Sequence, residues 1–396
     1  MIQLRTIILT AFCLLFTTVR ADIQGEAVAA TEAQLQDDYI AASLLVVSPS
    51  SEVYSLFGHC ALRLSCPSQE MDYCFTFETA SDTKGLLTFL QGKARGGFLA
   101  SRTDHYIDAY REAGRGVTQY TLNLTPMQKL RLWMLVDGEI ERGYSHHYDY
   151  LHTQCTSMLV SLVKQAVAPD AIRYQELPTA VSGSFRNVLL TTSHYPWSTF
   201  FWQTVMGPQA DAVEPLEDKF VPVLLPEVWQ NAVCGDTELR PLLSGTPTAL
   251  TPAADGHATA FPSPLVLFGF CLLGIVVVTL GQVFLKWRLL PIGIDATLVV
   301  LHTLVAIALS WLVLYAQLEG TAWNWYLLAF NPLPQLCGII THQWVLVSKC
   351  LLALIIVLLV LTPFVPQLDL PHGLLTACFA TRLAVAERYD RTKRNK

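Results

Sequence analysis

Short patterned runs fill the first two thirds of the chain and predict a folded domain. Residues 42–47 are apolar and rich in β-branched side chains, which is typical of a buried strand. Residues 59–64, 73–77 and 117–124 alternate or are rich in aromatic side chains, and they predict three further strands. Because the predicted strands come largely before the predicted helices, we expect an α+β domain.

Two helices are predicted after these strands. Thr125 and Pro126 indicate the first helix start, since threonine caps helices and proline fits the first turn. Its predicted buried face consists of Leu130, Met134 and Ile140, with Trp133 and Val136 beside them. Thr153 is the predicted cap of the second helix, which Pro169 ends. One face of that helix carries Cys155, Leu159, Leu162, Val163 and Ala166.

Long apolar runs dominate the last third and predict an all-α transmembrane bundle. Residues 235–263 are rich in Pro, Gly, Thr and Ala, which indicates a linker before the bundle. We expect about five helices within residues 264–386, and the expected spans are residues 265–285, 290–315, 323–340, 344–361 and 370–386. Prolines interrupt the third expected span, and Arg382 lies within the fifth.

The two ends of the chain indicate export and membrane orientation. Residues 1–21 combine Arg5, a short apolar run and a small-residue cleavage site, as a secretory signal peptide does. Residues 22–234 then form the periplasmic domain of a multi-pass inner-membrane protein. Five spans place the basic tail, residues 387–396, in the cytoplasm, as the positive-inside rule requires.

Composition narrows the classes of function. Hydrophobic residues make up 52% and charged residues 15%, a balance too apolar for one soluble domain of 396 residues. The net charge is −6 and the predicted domain carries no basic stripe, which argues against nucleic acid as a partner. The sequence contains neither a metal-binding motif nor a Gly-rich phosphate loop, so we expect no metal and no cofactor.

The predicted periplasmic domain contains five cysteines: Cys60, Cys66, Cys74, Cys155 and Cys234. Cysteines of exported domains tend to pair, and an odd number leaves at least one free or paired elsewhere. Cys66 and Cys74 flank a turn-like stretch between two predicted strands, which makes them candidates for a disulfide across that hairpin. Cys155 is the candidate free thiol.

Cys155 and His59 are the candidate catalytic pair. Cys155 lies in the first turn of its predicted helix, where the helix dipole and free N–H groups favour a thiolate and can hold an oxyanion. His59 begins a predicted strand after Gly58, and its imidazole would serve as the base. Spacing alone fits a packed cysteine and a structural histidine equally well, so both interpretations stay open at this level.

Longer motifs around these two residues resemble a known family. Residues 54–64 contain Ser-Leu-Phe-Gly-His-Cys-Ala-Leu-Arg, which looks like the Ser-x-Phe-Gly-His-x-Ala-Leu-Arg signature of the Lnb periplasmic-domain family. Residues 154–156, Gln-Cys-Thr, stand where that family has Asn-Cys-Thr, and residues 331–333, Asn-Pro-Leu, resemble its membrane block. The family comprises lipoprotein N-acyltransferases of the Bacteroides type and their relatives. The order of histidine and cysteine is also similar to permuted papain-like folds such as lecithin–retinol acyltransferase.

The resemblance implies an acyltransferase that works through a Cys155 thioester. It would move an acyl chain from phospholipid to the N-terminal amine of a diacylated lipoprotein, with the bilayer as a further partner. With water in place of the amine, the same pair would make a thiol hydrolase, namely a phospholipase, peptidase or amidase. A third alternative is a non-catalytic membrane scaffold, to which the change from Asn to Gln154 gives some weight.

The residue that orients His59 is open, because the sequence departs from the family pattern after the histidine strand. Thr76 and Glu78 are the candidates, since residues i and i+2 of a strand share a face. Gln154 and Thr156 flank the thiol and are candidates for orienting groups or oxyanion donors.

Asn324 and Asn331 are the polar candidates in the apolar region. They are seven residues apart, so a continuous helix would place both on one face. They would either bind a lipid headgroup or the lipopeptide backbone, or hydrogen-bond neighbouring helices as structural links.

Overall fold

The computed structural model describes residues 40–394 apart from residues 84, 213–215, 236–237, 254–260 and 319. The predicted signal peptide, residues 1–21, lies outside the described residues. The described strands are, in chain order, β1 (Ala41–Val47), β2 (His59–Cys66), β3 (Met71–Thr79), β4 (Arg95–Arg102), β5 (Val117–Leu122), β6 (His146–His147), β7 (Ile172–Tyr174), β8 (Ala232–Cys234), β9 (Arg240–Pro241) and β10 (Leu243–Thr251).

Seven of these strands form one antiparallel sheet in the order β10-β5-β1-β2-β3-β4-β6. A smaller sheet contains β7, β8 and β9. The four strands predicted from the sequence are confirmed as β1, β2, β3 and β5. Strands that follow one another in the chain usually lie side by side, as β1, β2, β3 and β4 do, and the shortest of their connections, residues 67–70, joins β2 to β3.

The described helices are, in chain order, α1 (Leu86–Leu90), α2 (Thr103–Glu112), α3 (Pro126–Arg142), α4 (Cys155–Val167), α5 (Thr179–Ser182), α6 (Phe185–Thr192), α7 (Pro196–Val205), α8 (Leu225–Gln230), α9 (Pro264–Phe284), α10 (Leu289–Tyr315), α11 (Leu333–Thr341), α12 (Trp344–Leu361) and α13 (Leu370–Arg394). Helix α4 packs on β2 and β3, and α3 packs on α4 and β4. The α+β class predicted for the first part of the chain is confirmed.

Strand β1 is buried on both faces, which explains its unbroken apolar sequence. Leu44 and Val46 belong to the large core cluster that includes the α3 and α4 side chains. Leu45 and Val47 point to the other face, where they pack with Tyr106 of α2. Successive side chains of a strand alternate between faces, so a strand covered on both sides needs apolar residues at every position.

Helix α3 starts where it was predicted to start, but its buried face is different. Thr125 caps the helix through a capping box. Leu132 and Val136 are fully buried, whereas Leu130 and Met134 are exposed. The prediction of Leu130 and Met134 as core residues was wrong. The buried residues Leu132 and Val136 lie two positions later, and two residues rotate the helix by roughly 200°. Both pairs are apolar and four residues apart, and only packing against the sheet selects which pair is buried.

Helix α4 buries the face predicted for it, but its cap is a different residue. The five predicted core residues are all buried: Cys155, Leu159, Leu162, Val163 and Ala166. The N-cap is Gln154 rather than Thr153, since the Gln154 side-chain oxygen accepts the N–H of Thr156 at 3.2 Å. The longer glutamine side chain therefore does the capping usually done by Asn, Ser or Thr.

The hairpin of β2 and β3 does not join Cys66 to Cys74, and both thiols are free. Cys74 lies opposite Arg63, and Cys66 lies opposite Met71. Cys74 belongs to the core cluster on one side of the sheet and Cys66 to the side of Cys60 and Leu62, so the two side chains point to opposite faces. Cys66 is three residues along β2 from Arg63, the residue opposite Cys74, and an odd number of residues along a strand changes the face. The predicted disulfide was therefore wrong.

Part of the predicted linker, residues 235–263, is a strand. Within it, β10 pairs antiparallel with β5, from Leu243 opposite Leu122 to Thr251 opposite Val117, with two irregularities in the register. The linker prediction was therefore wrong for residues 243–251, and also for residues 240–241, which form β9 and pair with β8. A run that lacks core-forming side chains still gains backbone hydrogen bonds when it covers an open sheet edge.

Three of the described helices, α9, α10 and α12, are long and apolar enough to cross a membrane. The predicted count of about five spans is not confirmed. The third predicted span instead contains a 3-10 turn at Trp325–Leu328 and the nine-residue helix α11, which reaches only about 13.5 Å. Pro332 and Pro334 at the start of α11 prevent a continuous helix through this region.

Helix α13 packs against the apolar helices, although its own sequence is less apolar than theirs. Near its start, His372 stacks on Phe200 of α7, with ring centroids 4.0 Å apart. Further along, Arg382 donates to the carboxylate of Asp295 at 2.6 and 2.8 Å and to Gln282 at 2.8 Å. The helix thus runs from the sheet domain to the connection between α9 and α10, and the buried ion pair accommodates its charged residue.

Candidate active site

Cys155 is the first residue of α4, and only 6% of it is exposed. The first N–H groups of a helix have no partner within the helix. The Gln154 side chain caps the start of α4 by accepting the N–H of Thr156 and closing a capping box with Ser157. The N–H of Cys155 itself is therefore the donor best placed to hold an oxyanion that forms at the thiol.

Gln154 and Thr156 hold the thiol in place from two sides. Gln154 Nε2 donates to the carbonyl of Phe220 at 3.1 Å, so the amide anchors the start of α4 to the Phe220 loop. Thr156 is fully buried, and its Oγ1 lies 3.9 Å from the Cys155 sulfur and 3.6 Å from the Cys60 sulfur. Gln154 thus anchors the start of α4, and the Thr156 hydroxyl lies beside both sulfur atoms.

His59 opens β2 directly after a turn that only glycine accommodates. Gly58 has φ +85°, in the left-handed region, and a Cβ at this position would overlap the carbonyl oxygen of Val47. The pairing of Val47 with His59 then starts the ladder between β1 and β2. The turn places the imidazole at the end of the sheet, near enough to Cys155 for that residue to raise its pKa.

Thr76 is the residue that orients His59. Its Oγ1 makes a short hydrogen bond with Nε2 of the imidazole, and it donates its own hydrogen towards the carbonyl of Cys60 at 3.5 Å. A threonine hydroxyl has one hydrogen, so the oxygen accepts the Nε2–H of His59. In the neutral imidazole, Nδ1 is then the nitrogen that can accept a proton. Glu78 lies farther away, with Oε1 3.9 Å from Nε2 and the side chain 39% exposed.

The electrostatics of the pair favour a thiolate beside an imidazolium. A hydrogen bond from Cys60 is the largest cause that holds the pKa of the Cys155 thiol well below its ordinary value, and the charge and hydrogen bond of His59 add to it against the effect of burial. Burial lowers the pKa of His59, but the charge and hydrogen bond of Cys155 and then the charge of Glu78 outweigh it, so the net pKa is raised. Both shifts stabilise the reactive ion pair.

Cys60 is a site residue that the sequence did not single out. It follows His59 in β2 and is fully buried. Burial and then the neighbouring Cys155 raise the pKa of its thiol well above the ordinary value, and its sulfur lies 3.6 Å from Thr156 Oγ1. Its place inside the histidine motif was the available signal, but its contact with Cys155 depends on how α4 packs on β2.

An apolar cavity opens beside Cys155. The space inside it that the centre of a water molecule can occupy is about 80 Å³. Aromatic residues from several elements dominate its wall: Tyr54, Phe57, Phe89, Tyr148, Tyr150, Phe185 and Trp202. The walls offer dispersion contacts and few polar groups, which suits an acyl chain better than a peptide.

The apolar helices are joined to this domain close to the cavity. The Asn324 side chain is fully buried and donates through Nδ2 to the carbonyl of Thr204 in α7 at 2.7 Å. The N–H of Gly207 donates to the carbonyl of Gly320 at 2.7 Å. Gln203 binds the connection between α12 and α13, where its Nε2 donates to the carbonyls of residues 366 and 367 at 3.0 Å each. These bonds fix the thiol relative to the membrane helices.

Asn324 and Asn331 do not share one helical face, so that prediction was wrong. Asn324 caps the 3-10 turn at Trp325–Leu328 by accepting the N–H of Tyr326. The Asn331 oxygen accepts the N–H of Leu333 at the start of α11. The break in the helix between the two residues gives each its own local cap. The contacts of Asn324 match the structural link that was one of its two expected roles.

Comparison with protein families agrees with this geometry. A family model described as the Lnb N-terminal periplasmic domain matches residues 27–188, a range that includes both His59 and Cys155. This match supports the Lnb family. Together with the three apolar helices, it indicates a membrane protein with a periplasmic Lnb domain. No curated protein and no solved structure matches the chain, and the papain-like fold stays a prediction.

Proposed function

We propose that this Lnb-type membrane protein is a lipoprotein N-acyltransferase. The observation that carries the proposal is the Cys155 thiol, whose pKa is lowered beside His59 and which opens into an aromatic cavity in a domain fixed to apolar helices. In the proposed reaction, the acyl donor is a phospholipid and the acceptor is the α-amino group of a diacylated lipoprotein.

The proposed mechanism has two half-reactions. The Cys155 thiolate attacks an ester carbonyl of the phospholipid, and the N–H of Cys155 stabilises the oxyanion. The ester C–O bond breaks, His59 gives its proton to the leaving lysophospholipid, and a thioester remains on Cys155. The lipoprotein amine then attacks the thioester, His59 accepts the amine proton, and the C–S bond breaks to release the amide and restore the ion pair.

The site geometry supports each proton transfer. Thr76 accepts the Nε2–H of His59, which leaves Nδ1 to exchange protons with the leaving group and with the attacking amine in the proposed reaction. The cavity wall excludes water from the first half-reaction, because aromatic side chains from several elements close around the thiol. A fixed position at the membrane surface also removes the need to extract an acyl chain, which would cost about 0.8 kcal/mol for each CH₂.

A decisive experiment uses the full chain in vesicles with phosphatidylethanolamine that carries an isotope-labelled acyl chain, and a synthetic diacylated lipopeptide. Mass spectrometry should detect labelled N-acyl lipopeptide. Labelled free fatty acid at the same rate with and without lipopeptide would instead identify a thiol hydrolase. Neither product, together with an ordinary pKa for the Cys155 thiol in alkylation, would identify a scaffold.

The matched control is a pair of cysteine variants. Cys155→Ala should abolish transfer, since it removes the nucleophile. Cys234→Ala changes a buried cysteine of β8 in the same domain and should retain activity. Activity of Cys155→Ala equal to that of the wild type would exclude the thioester mechanism.

A further inference from the structure

Helix α1 carries an exposed apolar pair beside the active-site cavity. Leu86 is 37% and Leu87 is 61% exposed, whereas Phe89 of the same helix is buried and lines the cavity. Tyr54, which is half exposed, also lines the cavity, and its ring packs edge-on against Phe89 with centroids 6.1 Å apart. Tyr54, Leu86 and Leu87 thus form an apolar surface at the cavity, here called the entrance patch.

The contacts of α1 place the entrance patch at the end of an apolar helix. Gly92, two residues after α1, packs so closely on Gln317 that a Cβ would lie 2.7 Å from the Gln317 backbone. Gln317 follows the last turn of α10, where Leu314 and Tyr315 are 73% and 69% exposed. The patch therefore lies at the level where the lipid-facing surface of α10 ends.

A second contact fixes the height of the cavity itself. Gly320, in the connection after α10, lies against the hydroxyl of the cavity residue Tyr150, with no room for a Cβ.

Lys93, next to Gly92, is exposed. A lysine just outside an apolar surface suits the phosphate level of a bilayer, because its stem lies on the apolar part while its ammonium reaches the headgroups.

We propose that the entrance patch dips into the outer leaflet and forms the opening through which a phospholipid acyl chain leaves the bilayer for the cavity at Cys155. The fate of the acyl chain depends on the proposed function, whereas the contact of the patch with lipid does not. The molecule that contacts the patch is a bilayer phospholipid, because the patch continues the lipid-facing surface of α10 and has an exposed lysine beside it.

Photo-crosslinking tests the lipid contact without reference to catalysis. The full chain with Leu87→p-benzoylphenylalanine is placed in vesicles of phosphatidylethanolamine and phosphatidylglycerol that contain alkyne-tagged phosphatidylethanolamine. The matched control is Met134→p-benzoylphenylalanine, since Met134 on α3 is 67% exposed. We expect at least ten-fold more lipid adduct at position 87. Equal yields at the two positions, or a crosslinked dimer in place of lipid adduct, would overturn the proposal.

An activity measurement tests the path into the cavity. Leu87→Glu should slow acyl transfer from vesicle phospholipid at least ten-fold while the alkylation rate of Cys155 stays unchanged, and Met134→Glu should leave both rates unchanged. An undiminished transfer rate in Leu87→Glu would overturn the entrance role. If the wild type itself transfers no acyl chain, the proposed function fails, and the crosslinking result still decides the lipid contact.

Discussion

Replacing Thr76 by valine removes the hydroxyl that accepts the Nε2–H of His59. The substitution keeps the shape of the side chain at a position that is 3% exposed, so it leaves a buried imidazolium N–H without a partner. Loss of a hydrogen bond to a charged group amounts to about 1.5–3 kcal/mol. If the resting variant is therefore a neutral pair and its imidazolium forms only during the reaction, that range corresponds to a fall in kcat/KM of up to roughly 10- to 150-fold.

The assay compares Thr76→Val with Thr76→Ser, which retains the hydroxyl, and with Glu78→Gln. Each full-length variant is measured for acyl transfer and for the rate at which Cys155 is alkylated, the latter by mass spectrometry of the α4 peptide. Thr76→Ser should remain within a few-fold of the wild type. Wild-type rates in Thr76→Val together with a large loss in Glu78→Gln would refute the reasoning and make Glu78 the orienting group.

Two further predictions concern pH and the joint between the domains. The charge of Glu78 raises the pKa of His59. Glu78→Gln should therefore move the alkaline limb of the pH–rate profile to lower pH, because the imidazolium is lost as pH rises through a smaller pKa. An alkaline limb at the wild-type position would contradict this prediction. Asn324→Ala leaves the Thr204 carbonyl unpaired at a cost of about 1–3 kcal/mol, so the melting temperature and the transfer rate should fall together. A slower rate at an unchanged melting temperature would instead indicate that Asn324 binds substrate.

Interactions within a few residues made much of the fold predictable. The alternation of β2 and the apolar run of β1 matched the observed strands, and the Thr125–Pro126 pair marked the start of α3. Helix α4 exposes and buries the residues that its period predicts. Each of these features depends on backbone geometry and capping, which act along a single segment. The three longest apolar helices follow from length and hydropathy alone.

The phase and register of these elements required the folded chain. The face that α3 buries depends on its packing against the sheet, and the separation of Cys66 from Cys74 depends on the pairing of β2 with β3. The third apolar run was long enough for a span, yet prolines and the link from Asn324 to α7 turned it into short pieces. Such outcomes are set by partners distant in sequence.

In the candidate site, too, some features follow from the local sequence and others depend on packing between distant elements. The sequence by itself placed Cys155 at a helix start and His59 directly after a glycine turn, because both positions follow from signals in the local backbone. Only the tertiary structure decided that Thr76 binds the imidazole more closely than Glu78, and that Thr156 lies beside the sulfurs of both Cys60 and Cys155. A hydrogen bond depends on tenths of an ångström between atoms of different elements, and only the packing of α4 on β2 and β3 sets those distances.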